Sequence, residues 1–135
     1  MIRAVLDSNV YVSAIVFGGN PRAILDLAEQ GLFEVSVSDP IKADVERVLA
    51  LKFTWTKERI DEATTYLWTL AHTIMPRQTV SDCIDPDDNR VLECALEARA
   101  KVLVTGDNHL LQLHPYREIA ILTPKQFLAA KAWQS

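Results

Sequence analysis

The chain has 135 residues, of which 49% are apolar, and a formal net charge of −4. A domain commonly has about 100–150 residues, so we expect one domain spanning residues 1–135. The apolar fraction excludes a disordered chain, and the mild acidity counts against a protein that holds nucleic acid on a broad basic surface.

Simple patterns also exclude membrane anchoring and soft-metal chemistry. No window approaches the ~20 apolar residues that a membrane helix needs, and the apolar run before Asp7 is too short for a signal peptide. We therefore expect a cytoplasmic protein that does not engage a membrane. Cys83 and Cys94 lack a CxxC spacing, and the three histidines lack an HExxH spacing. We expect the two cysteines to be reduced and packed as small hydrophobic residues.

Strands and helices alternate along the chain. The predicted strands cover residues 2–6, 33–37, 73–76 (the weakest), 102–105 and 119–122. The predicted helices cover residues 9–17, 21–30, 40–52, 57–72, 87–99 and 124–132, with a short turn near 108–112. This alternation predicts an α/β fold on a mostly parallel sheet of four or five strands.

Four of these helices are predicted to begin at a polar residue followed by proline. A polar cap accepts a hydrogen bond from a free N–H group, and proline at the first helical position loses no hydrogen bond. The four pairs are Asn20-Pro21, Asp39-Pro40, Asp85-Pro86 and Thr123-Pro124.

Two of the predicted strands lead into an aspartate. Asp7 follows the strand at 2–6, and Asp107 follows the strand at 102–105. Parallel strands joined by right-handed crossovers have their carboxyl ends on one edge of the sheet, where ligands bind. We therefore expect both carboxylates to face the functional edge.

Asp44 lies at the boundary between core and solvent in the predicted helix 40–52. It falls about 40° outside the apolar arc of that helix, whereas Glu46 points well away from it. Aspartate is also a poor residue for the middle of a helix. On this pattern alone, both a solvated and a functional role for Asp44 remain open.

The helix predicted at 87–99 presents an acid on its apolar side. Asp88 lies on the stripe formed by Val91, Leu92 and Ala95, near the favourable N-terminal end of the helix dipole. The alternative is that Asp88 only stabilises the first turn. Its neighbour Asp85 is first an N-cap and only second a candidate for the site.

Together these placements predict an acidic crevice built from Asp7, Asp44, Asp88 and Asp107. Carboxylates that converge in this way repel one another unless cations lie between them. Hard oxygen ligands select Mg²⁺ or Mn²⁺, which can stabilise charge on a phosphodiester and activate water.

Four segments in this order resemble the PIN-domain ribonuclease family, particularly small prokaryotic members that are VapC-like toxins of toxin–antitoxin pairs. The segments are "VLDSNVYVSA", "SVSDPIKADVERVLALKF", "DPDDNRVLECALEARAKVLVTGDNHLL" and "IAILTPKQFL". The resemblance covers nearly the whole chain, and it implies a PIN-like three-layer α/β/α fold with the mostly parallel sheet in the middle.

The resemblance also assigns the acids. Asp7, Asp44, Asp88 and Asp107 match the four catalytic acids of the family, and Asp7, Asp88 and Asp107 match the metal ligands. At position 44 the family more often has glutamate, whose longer side chain reaches further, so we expect altered metal affinity rather than lost activity.

Polar residues that line the site follow from the same resemblance. They correspond to Asn9, Ser13 and Thr105, and Asp85, first an N-cap, is a further candidate to line the site. The implied activity is Mg²⁺- or Mn²⁺-dependent hydrolysis of RNA by in-line attack of water, which leaves 5′-phosphate and 3′-hydroxyl ends. The implied partners are an antitoxin protein and a second copy of the chain.

Other readings fit less well. "FGGNPRA" lacks the lysine of a phosphate-binding P-loop, and "LDSNVYV" lacks the second acid of haloacid-dehalogenase-type phosphotransferases. A response-regulator receiver would carry its paired acids after the first strand, not at Asp87-Asp88. A degenerate PIN domain that binds a partner without catalysis remains the main alternative, because of Asp44.

Overall fold

The computed structural model describes residues 1–134 and contains a five-stranded, wholly parallel sheet in an α/β/α arrangement. The strands are β1 (Arg3–Leu6), β2 (Glu34–Ser38), β3 (Ala71–Ile74), β4 (Val102–Val104) and β5 (Ala120–Leu122). The helices are α1 (Ser8–Val16), α2 (Gly19–Glu29), α3 (Asp39–Leu51), α4 (Lys57–Leu70), α5 (Pro86–Glu97), α6 (Asn108–Leu111) and α7 (Pro124–Ala129).

The α/β fold predicted from the alternating pattern is confirmed. All five expected strands are present, and the weakest of them, expected at 73–76, lies at Ala71–Ile74. It begins directly where α4 ends, because Ala71 already has extended backbone angles (φ −106°, ψ 146°). The predicted turn near 108–112 is the short helix α6.

The strand order β3-β2-β1-β4-β5 creates a crevice between β1 and β4. The chain leaves β1 towards β2 on one side and returns to β4 on the other, so the connecting helices diverge at this point. Leu6 is paired with Val104 at the ends of the two strands, and the Asp7 N–H donates to the Val104 carbonyl oxygen at 2.9 Å. In open α/β sheets such a crevice is where ligands bind.

The central strands are buried on both sides, as strands of a parallel sheet are. In β1, Ala4, Val5 and Leu6 have no exposed surface, and in β4 Leu103 and Val104 have none either. The residues that directly follow these strands are therefore anchored to the most rigid part of the core.

Two of the four predicted helix caps are wrong. The helix α2 begins at Gly19, so that Asn20 and Pro21 lie within its first turn; Gly18 takes the cap position with φ +77°, which suits glycine. The helix α3 begins at Asp39 itself, whose carboxylate then faces the positive end of the helix dipole.

The other two caps are confirmed. The Asp85 side chain accepts a hydrogen bond from the Asp87 N–H at the start of α5. Thr123 and Gln126 form a reciprocal capping box at the start of α7.

The two cysteines are packed as expected, since Cys83 and Cys94 are both unpaired and buried. Within residues 1–134, no helix has the length and apolar character required to cross a membrane.

Candidate metal centre

Asp7 lies at the floor of the crevice, directly after β1, and only 3% of its surface is exposed. The Thr105 hydroxyl donates to Asp7 Oδ2 at 2.7 Å, and the Ser8 hydroxyl lies 3.3 Å from Oδ1. Burial raises the pKa of Asp7, the hydrogen bonds from Thr105 and Ser8 oppose that rise, and the charge of Asp107 adds to it.

Thr105 joins the ends of the two central strands. It is fully buried after β4, and its oxygen accepts the Asp107 N–H at 3.0 Å while its hydroxyl proton goes to Asp7. One side chain thus fixes the position of Asp7 and of the residue that begins α6. Thr105, expected to line the site, thus lies in contact with two of the predicted acids.

Asp107 is the N-cap of α6 and is partly exposed. Its Oδ1 accepts the backbone N–H of His109 at 2.8 Å, and the Nδ1 atom of the His109 ring lies 3.7 Å from the same oxygen. The Asp107 side chain also lies within hydrogen-bonding reach of the Asp88 carboxyl, and this contact adds to the rise in the pKa of Asp88.

Asp88 brings a third carboxylate from α5. It is 5% exposed, and the Cys83 thiol donates to Oδ2 at 3.6 Å. Burial, together with the charges of Asp107, Asp7 and Asp85, raises the pKa of Asp88 to about 7. Buried carboxylates that repel one another in this way are stabilised by a bound cation.

The side chains of Asp88, Asp107 and His109 come close enough to share one ion. One donor atom from each lies within 4.8 Å of the other two. Ligands that bind one divalent ion lie up to about 4–5 Å apart, twice the metal–oxygen distance. Two carboxylate oxygens and an imidazole nitrogen form a donor set suited to a divalent metal ion, so these residues fit the cation that the sequence predicts.

Asp44 is not part of this group. One of its oxygens accepts the Ser8 hydroxyl and the other is paired with Arg47, which also contacts Asp87 at 3.2 Å. The Ser8 hydroxyl lies 2.5 Å from Asp44 and 3.3 Å from Asp7, so its single proton is shared between the two carboxylates, and Asp44 reaches Asp7 only through that hydroxyl. The sequence placed Asp44 at the boundary between core and solvent, and it is indeed partly buried.

The three remaining polar residues predicted for the site, Asn9, Ser13 and Asp85, lie at the edge of the acidic group. Asn9 is exposed in the first turn of α1, and Ser13 is half-buried one turn later. Within residues 1–134 neither side chain forms a hydrogen bond with the acids. Asp85 serves as the cap of α5, and its charge contributes to the raised pKa of Asp88.

Sequence reasoning missed three residues: Ser8, Arg47 and His109. The search for histidine ligands looked for pairs of histidines along one helix, whereas His109 is grouped with carboxylates from two different segments. Its position two residues after Asp107 was the available signal. Arg47 lies one turn after Asp44 and could have been identified as its i,i+3 partner.

The comparisons with known proteins identify the family. The PIN domain family model matches residues 3–109, so the chain belongs to the PIN domain family, whose members are generally nucleases. The uncharacterized protein MJ1680 of Methanocaldococcus jannaschii is 26% identical over 144 aligned positions, which cover 94% of this chain and 90% of that protein.

A solved structure shares the fold. It is that of VapBC2 from Rickettsia felis bound to a DNA fragment from their promoter. The matching chain gives a TM-score of 0.65 at 15% sequence identity, covering 89% of this chain and 97% of that chain. At this level of identity the match supports the PIN-like fold.

Proposed function

We propose that the chain is a metal-dependent endoribonuclease that uses Mg²⁺ or Mn²⁺. The observation that carries this proposal is the convergence of Asp88, Asp107 and His109 beside the buried Asp7, at the carboxyl ends of β1 and β4. In a PIN domain, such a concentration of negative charge has a clear chemical use: it binds the ion that phosphodiester hydrolysis needs.

The acidic residues would have separate roles. Asp88 and Asp107 would hold the ion, and Asp7, held in place by Thr105, would complete the acidic wall. The ion, when bound, supplies charge stabilisation at the phosphate and lowers the pKa of an attacking water. Asp44 would act indirectly, because it orients Ser8 and holds Arg47 at the mouth of the crevice.

Arg47 is suited to contact the substrate. Its side chain is 54% exposed and lies beside a small cavity lined in part by Ser8, Asp44 and Arg90. Guanidinium groups bind phosphate oxygens through paired hydrogen bonds. An RNA phosphate could thus meet the metal ion on one side and Arg47 on the other.

We further propose that the chain is the toxin of a toxin–antitoxin pair, acts on RNA in the cytoplasm and forms a homodimer. Support comes from the shared fold with a chain of VapBC2 from Rickettsia felis. An antitoxin would then be the partner that keeps the crevice closed to RNA.

One observation favours the second candidate, a PIN domain that binds RNA or protein without cutting. Asp44, the counterpart of a catalytic acid, is neutralised by Arg47 and stands apart from the metal group. If Asp44 must contact the ion directly, hydrolysis would fail while binding remained.

The proposal is tested by cleavage of a mixed RNA pool with Mg²⁺, with Mn²⁺ and with a chelator. The native chain is compared with Asp7→Asn and with Asp61→Asn, an exposed aspartate of α4 that serves as the matched control. We expect cleavage by the native chain and by Asp61→Asn only when metal is present, and none by Asp7→Asn. A folded native chain that cuts nothing with either metal would favour the binding module.

A further inference from the structure

We infer that His109 is a protein ligand of the metal ion and that its nitrogen gives the site a preference for Mn²⁺ over Mg²⁺. This inference rests on the proposed metal site and deepens it. It assigns a role to a side chain that lies outside the set of four acids.

The backbone fixes where the His109 ring can reach. Asp107 accepts the His109 N–H at 2.8 Å, and the next residue, Leu110, is fully buried. These two anchors fix the backbone of His109 in the first turn of α6, beside Asp107. From there Nδ1 lies 3.7 Å from Asp107 Oδ1, within the span of two ligands on one ion.

The ring itself is free to turn towards an ion. The side chain is 55% exposed, and within residues 1–134 neither ring nitrogen has a hydrogen bond partner that meets normal geometry. A surface pair with Asp107 alone would leave Asp88 without any contact to the ring. Instead, a donor atom of the ring lies within 4.8 Å of oxygens from both carboxylates.

The donor set determines which ion is preferred. Mg²⁺ binds oxygen ligands almost exclusively and keeps several waters, whereas imidazole suits transition metals. Replacing one water or carboxylate by a neutral imidazole nitrogen therefore favours Mn²⁺ relative to Mg²⁺. A site made only of carboxylates would lack this preference.

The test measures metal binding by the whole chain, without RNA, using isothermal titration calorimetry at one pH. The variant is His109→Ala, and the matched control is His72→Ala, an exposed histidine on the edge strand β3. We expect His109→Ala to weaken Mn²⁺ binding by about tenfold or more, the loss typical of a disturbed metal environment, with Mg²⁺ affinity changed far less. His72→Ala should bind both ions as the native chain does.

A second variant and a spectroscopic signal test the role of the His109 ring nitrogen directly. His109→Asp supplies an oxygen in place of the nitrogen, so it should lose the preference for Mn²⁺ while retaining Mg²⁺. Pulsed electron paramagnetic resonance of bound Mn²⁺ should show coupling to a ¹⁴N nucleus in the native chain and in His72→Ala, and none in His109→Ala.

The outcomes separate this inference from the proposed function. If Asp88→Asn abolishes Mn²⁺ binding while His109→Ala binds as the native chain does and retains the ¹⁴N coupling, the acidic site stands and the role of His109 is overturned. If the native chain binds neither ion, both the metal site and the role of His109 are overturned.

Discussion

At the scale of single residues, the centre is built from carboxylates whose charges oppose folding. Asp7 and Asp88 are buried, and the pKa of each is raised, chiefly by that burial. Such groups stabilise the protein when a cation is present and destabilise it when the cation is absent. We therefore expect the stability of the protein to depend on pH and on divalent metal.

Asp88→Asn should stabilise the metal-free protein above pH 7. The pKa of Asp88 is about 7 in the folded chain against an ordinary value of 3.8, so the folded chain keeps its proton over a range where the unfolded chain has lost it. The wild type accordingly loses stability as pH rises between these values. We expect a gain of at least ~1 kcal/mol, about 4 °C in Tm for a domain of this size.

The measurement is thermal unfolding in a chelator at pH 5 and at pH 8, with Asp61→Asn as the control. The gain should be larger at pH 8 and shrink as the pH falls towards the ordinary value of 3.8, below which Asp88 is protonated in both states. Added Mn²⁺ should raise the Tm of the wild type but not that of Asp88→Asn. An equal gain at both pH values would contradict the explanation.

Thr105→Val should destabilise the protein by about 1–3 kcal/mol, because two buried groups lose their partner. The substitution keeps the shape of the side chain but removes the hydroxyl that donates to Asp7 and accepts the Asp107 N–H. Urea unfolding measures the loss, and Thr105→Ser is the matched variant that keeps the hydroxyl. Metal affinity should fall in the valine variant only; equal affinities would show that Thr105 does not position the acids.

At the scale of elements, the strands follow directly from sequence, and the helix starts do so only in part. Uninterrupted apolar runs such as β1 and β4 admit one interpretation, because both faces of these strands are covered. A polar residue before proline admits several, since proline is accepted throughout the first turn of a helix: Pro86 and Pro124 are the first residues of their helices, Pro40 is the second and Pro21 the third. This is why Asp85 and Thr123 are caps whereas Asn20 and Asp39 lie inside their helices.

The cap of α5 also affects the centre, and two substitutions at Asp85 separate its effects. Asp85→Ala removes the hydrogen bond to the Asp87 N–H and should cost about 1 kcal/mol, whereas Asp85→Asn keeps an oxygen acceptor and should cost little. Both variants remove the charge that raises the pKa of Asp88. Nuclear magnetic resonance titration should find that pKa lowered in both. Equal loss of stability in the two variants would refute the capping role.

At the scale of the whole molecule, the sequence predicted that three acids lie together at one edge of the sheet, but it did not predict their side-chain partners or His109. Asp7, Asp88 and Asp107 were placed together because parallel strands share an edge and α5 starts beside it. The contact of Arg47 with Asp87 joins two helices, α3 and α5, and residue spacing does not encode it, whereas the i,i+3 pairing of Arg47 with Asp44 within α3 follows from spacing. The position of His109 in the group could not be predicted, because it depends on how Asp107 and Leu110 anchor its backbone.

From the net charge of the whole chain we predict how RNA binding depends on metal and on salt. With 18 acidic and 14 basic residues, the chain offers few positive groups to phosphates unless metal is bound. We expect removal of metal to weaken RNA binding at least about tenfold, and log Kd to depend only weakly on log salt, by about 0.7 per phosphate contact. Fluorescence anisotropy with a labelled single-stranded RNA on ice measures both. Tight binding in a chelator with a steep salt dependence would point to a basic surface instead.

The hydrogen bond between Thr105 and Asp7 joins residues that lie 98 positions apart. A chain still being synthesised on the ribosome has Asp7 early but lacks its partners until residue 107 has emerged. At translation rates of about 5–20 residues per second, that interval lasts roughly 5–20 seconds. Throughout it the acidic centre is incomplete, so under the proposed function we expect a nascent chain to leave the RNA around it intact. The order of strands in the sheet would thus delay the proposed activity until translation of this region is finished.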